Sequence, residues 1–166
     1  MRVLGLDPGT ATTGYGIVEQ RGTRLTHIGQ GTITTPAHAH FAKRLVTIHE
    51  RVAGILAEYE PDAVAIEKLY FTRNVTTGIT VAQARGVIAL AAAQAGKAIA
   101  EYTPLEVKNA VVGYGKASKQ QVQEMVKLLL NLEEKPRPDD AADALAIAIC
   151  QTHAGNTARL IEAQDR

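Results

Sequence analysis

The chain has 166 residues, 46% of them hydrophobic and 21% charged, which is enough for one folded domain with a sizeable core and excludes a disordered or fibrous chain. A formal net charge of +1 excludes a uniformly basic coat, and a single cysteine excludes a disulfide framework. The first residues lack the apolar run and cleavage pattern of a signal peptide, and no stretch reads as a membrane span, so a reducing, cytoplasmic setting away from membranes is expected.

The chain opens Val3-Leu4-Gly5-Leu6-Asp7-Pro8-Gly9. An apolar run bounded by turn residues predicts a buried strand over 2–7. Residues 14–19 read as a second strand and 23–33 as a third, joined by a hairpin turn at 20–22. Phe41, Leu45, Ile48, Val52 and Ile55 recur every three or four residues, so 38–58 is an amphipathic helix ended by Pro61-Asp62. Ala63-Val64-Ala65-Ile66-Glu67 is another buried strand. Residues 74–94 form a helix rich in alanine with Gly78 and Gly86, suited to close approach of another helix or to a dimer face. A short strand over 97–100 precedes helices over 104–110 and 118–130, the latter with Ser118 as cap. Pro136-Arg137-Pro138 breaks the chain before a last helix over 139–152. The expectation is one domain over 1–153, with a polar tail over 154–166.

Three strands in hairpin succession, then alternating helices and strands, predict an α/β fold. Its sheet is mixed and five-stranded and is flanked by helices. The first strand lies at the centre, antiparallel to the second and parallel to the later two. Asp7 and Glu67 then share the carboxyl edge of two parallel strands, where sites form in such sheets.

A carboxylate on a buried strand tip is costly to leave unpaired. Asp7 before Pro8-Gly9 also makes good turn chemistry, so a capping role stands beside a functional one. The last helix adds more acids in Asp139-Asp140-Ala141-Ala142-Asp143. One acid in a first turn complements the helix dipole; three in five positions exceed that need. Asp143 shares a helix face with either Asp139 or Asp140, and spacing alone does not choose. Asp7, Glu67 and two of these aspartates form an all-oxygen set suited to Mg²⁺ or Mn²⁺. His27, His38, His40, His49 and His153 are scattered and match no zinc pattern, and Cys150 in an apolar run reads as core.

Charge is unevenly spread. Residues 68–119 carry seven basic side chains against two acids, a net of +5, whereas the portion from Gln120 holds eight acids against five bases. A basic surface beside an acidic pocket is one reading and a solvated lysine face the other. The seven bases are Lys68, Arg73, Arg85, Lys97, Lys108, Lys116 and Lys119, and on the first reading they include groups that meet phosphate. Tyr70 and Phe71 follow Glu67, where an exposed ring can stack on a base or a buried one fill core. Arg73 and Asn74 sit in the polar segment after them.

Several segments in fixed order now carry a resemblance: Gly5-Leu6-Asp7-Pro8-Gly9, Ala65-Ile66-Glu67, Gln83-Ala84-Arg85-Gly86, Val111-Val112-Gly113 and Asp140-Ala141-Ala142-Asp143-Ala144-Leu145-Ala146. Together they resemble the RuvC family of bacterial Holliday-junction resolvases, whose fold is RNase H-like. The resemblance implies a homodimeric, Mg²⁺-dependent endonuclease with two ions per subunit, Mn²⁺ substituting. It implies symmetric nicking of a four-way DNA junction that leaves ligatable 5′-phosphate ends, and partnership with the RuvA–RuvB branch-migration complex. Asp7, Glu67, Asp140 and Asp143 fall on the family's four acidic positions, which favours Asp140 over Asp139. Lys108 and Lys119 match basic positions near the site, Tyr70 matches a base-contacting aromatic, and 83–86 lies on a helix used for dimerisation. Asp7-Pro8-Gly9-Thr10 with Thr12-Thr13-Gly14 also resembles the phosphate loop of actin-like ATPases. Those bind nucleotide between two such domains, for which the chain is too short.

Overall fold

The computed structural model describes residues 1–69 and 75–164, with backbone alone over 156–164. The elements run β1 (Arg2–Asp7), β2 (Thr12–Arg21), β3 (Arg24–Thr34), α1 (Phe41–Tyr59), β4 (Ala63–Glu67), α2 (Val75–Gln94), β5 (Ala98–Tyr102), α3 (Pro104–Val112), α4 (Lys119–Leu129) and α5 (Asp139–Gln164). The sheet order is β3-β2-β1-β4-β5. β1 is central, antiparallel to β2 and parallel to β4, and β4 is parallel to β5. This is the mixed sheet expected from the sequence.

Strand alternation divides the core between the two faces. Leu4, Leu6, Ile17, Val64 and Ile66 form one cluster with Ile48, Val52, Ile55 and Leu56 of α1 and Ala84 and Ile88 of α2. Val3, Val18 and Ala65 point the other way, against α3, α4 and α5. Asp7 and Glu67 continue the Val3-Gly5 and Ala65 rows, so both acids belong to the α5 face.

On that face α5 is buried from every side over its first half, with Ala141, Ala142 and the whole run Ala144–Cys150 at 3% exposure or less. It lies so close to the sheet that side chains on β1 and β2 have no room. A Cβ added to Gly5 would stand 2.1 Å from the Ala144 carbonyl oxygen, and one on Gly14 would stand 1.9 Å from that of Asp140. On Gly16 it would meet Leu145 at 2.7 Å. Gly5 pairs with Gly16 and Asp7 with Gly14 across the β1–β2 ladder. The glycines thus make one bare track on which α5 rests.

Several boundaries differ from the sequence reading. β2 and β3 extend to a tighter hairpin, because Arg21 still pairs with Arg24 around Gly22 at φ 60°. β5 runs on to Tyr102, and α3 to Val112 before Gly113 caps it. Ser118 caps α4 as expected, in a reciprocal box with Gln121. α5 does not stop near Thr152 but continues to Gln164, where Ala154, Ala158, Arg159, Leu160, Glu162 and Ala163 are strong helix formers that outweigh Gly155, Asn156 and Thr157. α2 is long and apolar enough by length and composition to cross a membrane, where the sequence reading expected no such stretch. Here one side of it packs into the core through Ala84, Ile88, Ala91 and Ala92.

The bare track generates a contrast between two substitutions. Gly5→Ala forces backbone apart and is expected to cost roughly 1–3 kcal/mol. Gly54→Ala, exposed within α1 with open space around its Cα, is expected to gain roughly 0.5–1 kcal/mol. Thermal melting followed by circular dichroism checks both; equal midpoints would mean that α5 does not depend on the missing side chain.

Candidate active site

Asp7 is the last residue of β1 and Glu67 the last of β4. Leu6 pairs with Ile66 in the parallel ladder, so the two acids leave neighbouring strands at the same edge. Asp140 and Asp143 lie in the first turns of α5, above that edge. Gly14, the cross-strand partner of Asp7, is the residue that meets the Asp140 backbone. The register of β1–β2 and the seat of α5 therefore bring Asp140 beside Asp7.

The electrostatics identify the same group. Burial pushes the Asp7 carboxyl up to about 8, with further upward pressure from Glu67, Asp143 and Asp140 in that order. Burial also raises Glu67, and Asp143 adds to it. Asp143 is raised by burial despite its ion pair with Lys119. Asp139 does not bear on Asp7. It accepts from Gln123 Nε2 at 3.0 Å and faces Lys119 at 3.6 Å. Of the two candidates that the spacing left open, Asp140 joins the group, and Asp139 turns toward α4.

Lys119, the first residue of α4, is aimed by the Ser118 cap into this group. Its Nζ donates to Asp143 Oδ2 at 3.0 Å, and that bond is the main reason its ammonium is held above the usual lysine range. It pulls against the upward shifts of Asp7 and Glu67 as well. Beside it lies a cleft of about 250 Å³ whose lining includes Glu67, Lys108, Lys119, Asp143 and Val122. Lys108 and Lys119 thus face one hollow with two of the acids. Lys116 is exposed in the loop before α4 and does not line that hollow. Tyr70, Phe71, Arg73 and Asn74 lie outside the described residues.

The donor set fits a hard divalent cation. All four groups are carboxylates, and Asp7 binds a proton at a pH where an ordinary aspartate is ionised. Among the described residues the acids are neighbours without closing into a ready cage of three, as expected for like charges facing one another. His49 is tied to Gln94 and His153 to the Ala110 carbonyl. Cys150 is buried, its thiol pushed up to about 12, so it is an inert core residue.

Arg44, which lines a second hollow on the other side of Asp140 together with Thr10, was missed in the sequence. Thr10 stood out there only within the segment that resembles a phosphate loop, and nothing in the local pattern links it to Arg44.

A family profile for the crossover junction endodeoxyribonuclease RuvC matches residues 3–151. The chain is similar to a protein of that name from Heliobacterium modesticaldum, 59% identical over 153 residues that span 92% of this chain and 94% of the relative. It is similar to another from Syntrophomonas wolfei, 55% identical over 162 residues, with 98% and 94% covered. Its backbone matches Thermus thermophilus RuvC solved in complex with a Holliday junction substrate, with a TM-score of 0.91, 35% identity, and 95% and 96% of the two chains covered.

The raised Asp7 carboxyl has a measurable consequence. The folded state holds a proton that the unfolded chain releases near the ordinary value of 3.8, so this group erodes stability as pH rises from about 4 to about 8. In EDTA, Asp7→Asn is expected to melt several degrees above the wild type at pH 8, with the gain shrinking toward pH 4. A gain independent of pH would show that Asp7 is not the group responsible.

Proposed function

The chain belongs to the RuvC family of crossover junction endodeoxyribonucleases, and on that premise we propose that it resolves four-way DNA junctions by metal-dependent nicking of two strands. The observation that carries this reading is the meeting of Asp7, Glu67, Asp140 and Asp143 at one sheet edge, beside a hollow that Lys108 and Lys119 also line.

In this reading the four carboxylates hold two Mg²⁺ ions per subunit, with Mn²⁺ able to replace them. When bound, such ions supply an activated water and offset charge on the leaving 3′-oxygen, which leaves a 5′-phosphate ready for ligation. The protein's own part is positional. Asp7 is central because its carboxyl is under the influence of the other three acids. Lys119 fixes the Asp143 carboxylate by its hydrogen bond and has further donors for a DNA phosphate. Lys108 adds a second cation at the same hollow, and Lys116 a third on the exposed loop. Tyr70 or Phe71 stacks on bases at the crossover, and Arg73 and Asn74 contact backbone.

Symmetric nicking calls for two subunits. Val75, Ile79 and Leu90 are 50–60% exposed, and with Gly86 they fall on one stripe of α2 by helical spacing. A Cβ on Gly86 would meet nothing within 4 Å in this subunit. An exposed apolar stripe with a bare centre suits close approach of a second copy. A dimer acting on chromosomal junctions works in the cytoplasm and receives its substrate from the RuvA–RuvB complex.

Four outcomes are expected. The protein cuts a synthetic four-way junction with Mg²⁺ and not in EDTA, and spares the corresponding linear duplex; cutting all substrates alike would remove the junction from the account. Asp7→Asn abolishes cutting and keeps junction binding within about threefold, whereas Lys119→Ala flattens the salt dependence of binding by about one phosphate contact. Ile79→Asp shifts the protein to monomer in sedimentation analysis; an unchanged dimer would place the interface elsewhere.

A further inference from the structure

The hollow beyond Asp140 has a volume of about 500 Å³, and its lining includes Thr10, Thr12, Phe41, Arg44, Thr80 and Asp140. It opens between the β1–β2 loop and the first turns of α1 and α2. Lys108 and Lys119 do not line it; they lie on the far side of the acids.

Two observations bear on what it could hold. Thr10 is 9% exposed, yet its hydroxyl oxygen is buried with no partner among the described residues. A buried hydroxyl left without a hydrogen bond costs about 1–3 kcal/mol, so a ligand acceptor there recovers a loss the folded chain already carries. The second observation is the bracing of Arg44. Its Nε donates to Thr35 Oγ1 at 2.8 Å, and that hydroxyl donates in turn to the Thr10 carbonyl at 2.6 Å. The Thr35 amide bonds the Ala11 carbonyl as well, at 3.0 Å. Arg44 is thus fastened by one nitrogen to the loop that carries Thr10. No acidic partner for its guanidinium occurs among the described residues, which leaves four N–H donors for another acceptor. The same corner holds the start of α1, whose cap residue His40 makes no side-chain cap bond and whose first turn has no acid, so its positive dipole end is uncompensated.

An arginine fork, an orphan hydroxyl and an uncapped helix start are together a receptor for a phosphodiester or phosphate oxygen. We propose that this hollow is a second phosphate subsite for the DNA strand being cut, in which Arg44 and Thr10 grip a backbone phosphate within a few nucleotides of the scissile one. The proposal rests on the nuclease reading above. The strand then passes from the Lys108–Lys119 hollow, across the four acids, to the Arg44–Thr10 hollow. Asp140, at the inner edge of the second hollow, marks where the track enters the acidic group. The subsite fixes the strand's register over the acids, so Arg44 is a positioning residue.

The test uses the full chain and four-way junctions carrying one methylphosphonate at each position within three nucleotides of the cut, with binding measured in EDTA. Wild-type binding is expected to fall about tenfold at one such position and little at the rest. Arg44→Gln is expected to bind the unmodified junction about tenfold more weakly, with a salt slope smaller by about 0.9. It should lose nothing further at the sensitive position, and Arg44→Lys should restore part of the slope. Thr10→Val is expected to weaken binding at the same position and Thr10→Ser to recover it. Equal binding by Arg44→Gln and wild type, or identical methylphosphonate profiles for the two, overturns the proposal and leaves the nuclease reading intact. A wild type that neither binds nor cuts junctions overturns both. Displacement of junction by millimolar ATP from wild type but not from Arg44→Gln also overturns it, by assigning the hollow to a free nucleotide.

Discussion

The structure depends on the contact between α5 and the bare glycine track of β1 and β2. Gly5, Gly14 and Gly16 leave no side chain between helix and strand at those positions, and the buried Ala141, Ala142, Ala144 and Ala148 supply small residues on the helix side. Such an approach converts strand register into active-site geometry. Asp7 is opposite Gly14, and Gly14 meets the Asp140 backbone. A helix held farther away by one methyl layer would still fold, but its acids would lie away from the strand tips. Backbone packing here decides which carboxylates face one another.

That same arrangement stores unfavourable electrostatics. Burial and three like charges raise Asp7 to about 8, and among the described residues Lys119 pulls it the other way. An isolated protein would be more stable with an amide at this position. The cost is understandable for a site whose charge is meant to be completed by a cation and a phosphate strand, since strain of this kind gathers where function needs it. The Lys119–Asp143 bond holds one acid in place, and the Ser118–Gln121 box holds Lys119 at the head of α4.

Much of this was legible in the sequence, for identifiable reasons. Asp7 and Glu67 stood out because each ends a short apolar run, and such runs become central parallel strands. The sheet order followed from hairpins and crossovers. The choice between Asp139 and Asp140 was not legible from spacing, because both share a face with Asp143; the contact with Gly14 sets the rotation of α5 and turns Asp139 toward Gln123 instead. The end of α5 was not legible because Gly155, Asn156 and Thr157 are weak helix formers, yet the helix runs through them to Gln164. Thr10 showed only as part of a phosphate-loop-like segment and Arg44 not at all, as the Arg44–Thr35–Thr10 chain links segments that only the fold brings together.

The glycine-mediated seat of α5 sets the geometry of the acids proposed to cut DNA. Single-turnover cleavage of a four-way junction by Gly14→Ala, at saturating protein and with folding checked by circular dichroism, tests it most directly. The account predicts cutting slowed by roughly a hundredfold, as a displacement of about 1 Å at reacting groups allows, with junction affinity close to that of the wild type. Cutting at the wild-type rate by a folded Gly14→Ala protein would contradict it.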